Sequence, residues 1–151
     1  MRFPRFALIM LSFVVPATPL AAREIVGTFA TWAAFCDGPS KCFAISEPAE
    51  QTNHPFLSVA IQGTNPSVSA HLGRSARAAR LEIGDAEFTL EVSGETATAD
   101  ARTSRRIVAA IRDGDSATIV GTAQRGGRFR HHYLLAGAPS AIDAAVVAGL
   151  R

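Results

Sequence analysis

The sequence predicts a mainly β fold: an antiparallel β-sandwich of about seven or eight strands with two short peripheral helices. Three observations predict it. Apolar residues recur mostly with a period of two, the repeat of a half-buried strand. Short turn phrases such as Gly84-Asp85, Gly63-Thr64-Asn65-Pro66 and Arg125-Gly126-Gly127 separate the alternating runs. Helical spacing replaces this alternation near residues 103–113 and 140–149. The chain has 151 residues, one domain's worth, and no repeat, low-complexity tract or long linker divides it. Apolar residues are 48%, but 28 of them are alanines, so large hydrophobes are fewer than that figure implies.

Residues 1–22 read as a secretory signal peptide, and 23–151 as the single folded domain. Arg2 and Arg5 give a positive start, residues 6–15 are apolar except for Ser12, and Pro16 precedes a small-residue stretch ending at Ala22. Cleavage is expected after Ala22. The apolar run is too short for a hydrocarbon core that needs roughly 20 residues, so no transmembrane span is expected in the mature chain. The two cysteines, Cys36 and Cys42, are expected to pair after export, with redox and metal roles as alternatives. Closing so small a loop stabilises by roughly 2–2.5 kcal/mol.

The mature chain opens with an expected strand over 25–35, carrying Trp32 and Phe35. A turn at Gly38-Pro39-Ser40 leads to a short strand over 42–46, then a polar, proline-containing loop over 47–55. Strands are expected at 56–62 and 67–72, where Val68, Ala70 and Leu72 alternate with Ser67, Ser69 and His71. The Ala- and Arg-rich 74–80 fits either a loop or one helical turn. Residues 81–83 and 86–92 form the clearest hairpin around Gly84-Asp85, with Phe88, Leu90 and Val92 on one side. Ile107, Val108, Ala110 and Ile111 make a helical stripe, capped at its start by Thr103 or Ser104 and stopped at Gly114. Strands over 116–124 and 128–136 flank the Arg125 turn, with Phe129, His131, Tyr133 and Leu135 on one face. Ser140 to Asp143 has the spacing of a capping box for a last helix ending at Gly149.

Charge narrows the function classes. Lys and Arg total 15 against 13 Asp and Glu, but Arg2 and Arg5 leave with the signal, so the mature chain is neutral. No nucleic-acid partner is expected, because that needs a strong positive field. Arg128, Arg130 and His132 share one strand face, with Arg125 and Tyr133 close by. This strip is the candidate partner-binding site, for a lipid head group, polysaccharide or acidic protein. The same residues also suit a charged face that protects an edge strand. His131 and His132 point to opposite faces, so a metal or hydrolase site would need His71 and others to converge. Serines sit in no nucleophile elbow, and Glu87 and Glu91 lie on a polar strand face. No catalytic residue, metal or cofactor is expected.

Val26-Gly27-Thr28-Phe29-Ala30-Thr31-Trp32, followed by Cys36 and Cys42, resembles the start of the invasion-associated locus B family of exported bacterial proteins. That family opens with G-x-F-x-D-W and two cysteines. Residues 112–119 and 134–142 are similar to its closing region, where a short helix, a G-x-x-A-T phrase and an L-x-G-F-x-x-A phrase follow one another. Thr31 stands where the family tends to have Asp and Ala138 where it tends to have Phe, and a second cysteine pair is missing. The resemblance implies export to the periplasm or cell surface, a disulfide, a mainly β fold, no recognised enzymatic activity and a host-interaction role. The expectation is a non-enzymatic exported envelope module that binds a protein or envelope component. The alternative is a periplasmic hydrolase or metal-binding protein using His71, His131 and His132.

Overall fold

A computed structural model describes residues 23–48 and 53–150; the expected signal segment lies outside them. The described chain is mainly β. Ten strands form one antiparallel sheet: β1 (Glu24–Phe29), β2 (Trp32–Cys36), β3 (Cys42–Ser46), β4 (Phe56–Gln62), β5 (Asn65–His71), β6 (Ala76–Ile83), β7 (Ala86–Ser93), β8 (Thr96–Thr98), β9 (Ser116–Ala123) and β10 (Arg128–Leu134). Two helices, α1 (Ala101–Asp113) and α2 (Ala138–Gly149), complete it. The order across the sheet is β1-β2-β3-β4-β5-β8-β7-β6-β9-β10, so β1 and β10 are its edges. Cys36 and Cys42 face each other across β2 and β3 and are joined by a disulfide.

The sheet has more strands than the alternation predicts, because contacts distant in sequence add to it. The expected strand over 25–35 is a hairpin that turns at Ala30-Thr31, where Phe29 opposes Trp32. Ala30 takes φ 51°, a left-handed conformation that alanine rarely adopts, so no turn residue marks the spot. The turn is held instead from afar, by Thr31 Oγ1 donating to the Leu134 carbonyl at 3.1 Å. Within the stretch 74–80, residues 76–80 become the start of β6, a central strand paired with both β7 and β9. Pairing on both sides overrides its weak strand propensity. The clearest expected hairpin forms as read, Ile83 opposing Ala86. Gly94 and Glu95 then turn β7 into the unpredicted β8.

Both helix starts also differ from expectation. Asp100, not Thr103 or Ser104, caps α1; its carboxylate accepts from the backbone N–H of Arg102 and Thr103. These bonds, with one from the Thr103 hydroxyl, hold Asp100 below the usual carboxylate range. Ser104 is instead buried, its hydroxyl taking the Val68 N–H at 3.1 Å and docking α1 on β5. The helix α2 begins earlier than the expected capping box, at Gly137 with Pro139 in its first turn. Asp143 turns away from its own helix to the Arg112 guanidinium of α1 and clasps the two helices together.

The core is one continuous face of the sheet. Cross-strand register links Trp32, Ser46, Leu57 and Ala70, and likewise Ala34, Ala44, Val59 and Val68. Across the other half it links Phe88, Leu81, Ile119 and His131. The helix α2 covers this face on β1 to β4, and α1 covers it on β5. Alanines of α2 and the sheet are what allow this close approach: Ala34, Ala44, Ala138, Ala141 and Ala145 are all fully buried. The sheet coils until its ends meet, although β1 and β10 do not pair. Trp32 Nε1 donates to the Leu134 carbonyl at 2.9 Å, and Gly137 packs on the Phe29 carbonyl. Coiling in this way gives a sandwich-like interior from a single open sheet.

One buried group carries a cost. Tyr133 is fully buried and its hydroxyl has no partner among the described residues. Burial disfavours the phenolate and pushes its pKa well above the usual value. Tyr133→Phe keeps the ring and removes the desolvated hydroxyl. It is expected to leave stability unchanged or raise it by about 1 kcal/mol, read from urea midpoints. A loss of that size instead would mean the hydroxyl has a partner in solution.

Candidate functional site

The outer face of β10 holds the residues that alternation selects. Phe129, His131 and Tyr133 are buried while Arg128, Arg130 and His132 are exposed. Strand pairing sets their neighbours: Arg130 lies beside Val120 and Arg80, and His132 beside Thr118 and Glu82. Arg130 donates to Glu82 at 3.2 Å, and Glu82 also holds Arg80 at 2.8 Å, with Glu87 at 3.9 Å from Arg80. His132 Nδ1 lies 3.2 Å from the Thr118 hydroxyl. Arg128 reaches no carboxylate among the described residues. It borders a shallow groove of about 220 Å³ with Arg80, Thr89 and Thr122. The face therefore carries three guanidinium groups, one of them without a carboxylate among the described residues and two sharing Glu82, with Glu87 a second carboxylate beside Arg80. Sequence reading missed Arg80 and Glu82, because their partnership with Arg130 required β6 to be a strand between β7 and β9. Their alternation with Leu81 was the available signal.

The three histidines of the alternative reading do not converge. His71 lies on the outer side of β5, stacked on Phe56 and 3.7 Å from Glu95. His132 is on the outer side of β10, an edge strand separated from β5 in the sheet order by β8, β7, β6 and β9. His131 points into the core, its Nε2 at 3.1 Å from the Leu72 carbonyl. A carbonyl only accepts, so Nε2 carries the proton. No group of three or more metal-ligating side chains is gathered among the described residues. A shared ion or a triad on these rings has no geometry here.

His131 does carry a pH dependence. Burial, and the positive charge of Arg74 close to it, hold its pKa below the usual histidine value, against the Leu72 bond. The folded protein thus resists a proton that the unfolded chain accepts near pH 6.5. The stability this gives is present above that pH and lost as pH falls below it. The melting temperature is expected to drop between pH 7 and 5, and His131→Phe to flatten that slope. An unchanged slope in the variant would assign the acid sensitivity elsewhere.

A second concave feature lies at one end of the sheet, around the loop after β5 and the β9–β10 turn. This cleft of about 880 Å³ is bordered by Asn53, Arg74, Ser75, Glu95, Gln124 and Arg125. Arg74 is half-buried over the Phe129 ring, 5.3 Å from its centroid. Phe129 in turn lies flat on Gly121, where any side chain would overlap the ring. The chain was compared with protein-family models, curated proteins and solved structures, and none matches it. The site's chemistry therefore rests on its own residues.

Proposed function

We propose that the chain is an exported, non-enzymatic envelope module that holds an anionic partner on the outer face of β10. The partner is an acidic protein or an envelope component such as a lipid head group or polysaccharide. The observation that carries this reading is the exposed row Arg128, Arg130 and His132, backed by Arg80, with Arg128 free of any carboxylate among the described residues. Guanidinium groups suit carboxylate and phosphate oxygens through paired N–H donors. A guanidinium that no carboxylate among the described residues reaches, as at Arg128, favours anion binding over internal neutralisation.

Export draws support from the signal-like composition of residues 1–22 and from the Cys36–Cys42 disulfide, a bond typical of oxidising compartments. The resemblance to the invasion-associated locus B family supports the same compartment, periplasm or cell surface, and a host-interaction role. Among the described residues no helix is long and apolar enough to cross a membrane. The hydrolase or metal alternative has less support, since His131 points into the core while His71 and His132 lie outward on separate strands, β5 and β10.

The test is binding of the full mature chain to vesicles containing anionic phospholipid, to an acidic polysaccharide and to an acidic protein. Arg128→Ala with Arg130→Ala is expected to weaken at least one of these roughly three- to tenfold, the scale of two exposed charge contacts, without lowering stability. Unchanged binding to all three would remove β10 as the docking face.

A further inference from the structure

We propose a separate small-molecule site in the cleft beside Arg74, for a compact ligand bearing a carboxylate or phosphate. The starting point is an electrostatic imbalance. Arg74 is half-buried, and no carboxylate or other acceptor pairs with it among the described residues. Its Nε–H is shut off from solvent with no acceptor. A guanidinium withdrawn from water without an anion is costly, and native folds normally supply a carboxylate. Here the fold supplies an aromatic face instead. Phe129 holds the guanidinium at 5.3 Å from its centroid, and Gly121 gives Phe129 the room to lie there. The cation is fixed in place and left without a counter-charge at the wall of a cleft of about 880 Å³, within the range of small-molecule sites.

The rest of the lining fits one ligand class. Arg125, from the β9–β10 turn, adds a second guanidinium that has no carboxylate partner among the described residues. Gln124 and Ser75 offer neutral hydrogen-bonding groups. Glu95 also lines the cleft, its carboxylate half-exposed and 3.7 Å from His71, and provides an acceptor. Two guanidinium groups bind an oxyanion, and an acceptor with amide and hydroxyl groups binds hydroxyl or amine substituents. A sugar acid or a sugar phosphate combines both features. The backbone next to Arg74 is conformationally committed. Asn53 and His54 take φ 64° and 48°, and Gly73, at φ 66°, leaves 2.7 Å between an added Cβ and the Asn53 carbonyl oxygen. Consecutive left-handed residues of this kind persist where the surrounding structure holds them, often at ligand sites.

The experiment is a titration of the ¹⁵N-labelled mature chain, following the arginine Nε–H resonances. The probes are glucuronate, glucose 1-phosphate and, as a neutral control, glucose. A saturable shift of the Arg74 signal with either acidic probe and none with glucose is expected; the probe that binds tighter assigns carboxylate or phosphate. Arg74→Lys retains the charge but loses the fork, and should weaken binding about tenfold or more. Arg125→Gln, on an exposed turn where folding is not at stake, should weaken it as well. Arg128→Ala, on the outer face of β10, should leave it unchanged, which separates this site from the docking face proposed above. The proposal is overturned if neither acidic probe saturates below about 10 mM, or if Arg74→Lys and Arg125→Gln bind as tightly as the parent.

Discussion

Gly137→Ala is expected to cost on the order of 3–5 kcal/mol, enough to abolish most of the stability of a domain this size. Two effects act together. Gly137 takes φ 88°, where a side chain is strained, and its Cβ would overlap the carbonyl of Phe29. That carbonyl is backbone at the end of β1, so it cannot rotate away. Gly137 also begins α2, and its own carbonyl takes the N–H of Ala141 at 2.9 Å. Moving it would pull α2 off the inner face of β1 to β4. Urea unfolding followed by far-UV circular dichroism measures the loss. A variant within about 1 kcal/mol of the parent would mean that the two ends of the sheet do not meet this closely.

The second large effect is at the other side of the same closure. Trp32→Ala is expected to cost about 3–5 kcal/mol through the cavity it leaves. Trp32 is 1% exposed, and its indole N–H donates to the Leu134 carbonyl at 2.9 Å. It is also the chain's single tryptophan, so its fluorescence reports the closure directly. Trp32→Phe separates the two contributions, since it fills most of the volume but gives up the N–H. Its cost should be clearly smaller, because the Leu134 carbonyl still accepts from the Thr31 hydroxyl at 3.1 Å. Equal losses in the two variants would place the weight on the hydrogen bond rather than on packing.

The contrast between two hairpins explains what sequence reading reached. Gly84-Asp85 turns β6 into β7 with a glycine at φ 56°, a local requirement that the sequence states locally. Ala30-Thr31 turns β1 into β2 with no such residue, because the bond that holds it comes from Leu134, 103 positions away. Tertiary contacts of that span leave no local signature. The same division runs through the candidate site. The period of two put Arg128, Arg130 and His132 on one face and Phe129, His131 and Tyr133 on the other, as found, but a surface or half-buried His131 was the expectation and the ring is buried against the Leu72 carbonyl. Arg74 was indistinct within an Ala- and Arg-rich stretch, and its importance appears only when β10 brings Phe129 beneath it. At the helix starts, Asp100 and Gly137 took the capping roles for which Thr103 or Ser104 and Ser140 were eligible. Ser104 was drawn into the contact with β5, and Asp143 into the clasp with Arg112.

In the proposed function, the outer face of β10 binds anions through cations that internal carboxylates only partly neutralise. Glu82 is the carboxylate shared by Arg80 and Arg130, so it restrains the face as well as ordering it. The direct test is the salt concentration at which three proteins elute from an immobilised acidic polysaccharide: the parent, Arg128→Ala with Arg130→Ala, and Glu82→Gln. Circular dichroism establishes that all three are folded. Opposite displacements are expected, with the arginine variant eluting at lower salt than the parent and Glu82→Gln at higher salt. Co-elution of all three, or earlier elution of Glu82→Gln, would contradict the proposed function and leave these charges the role of shielding an edge strand.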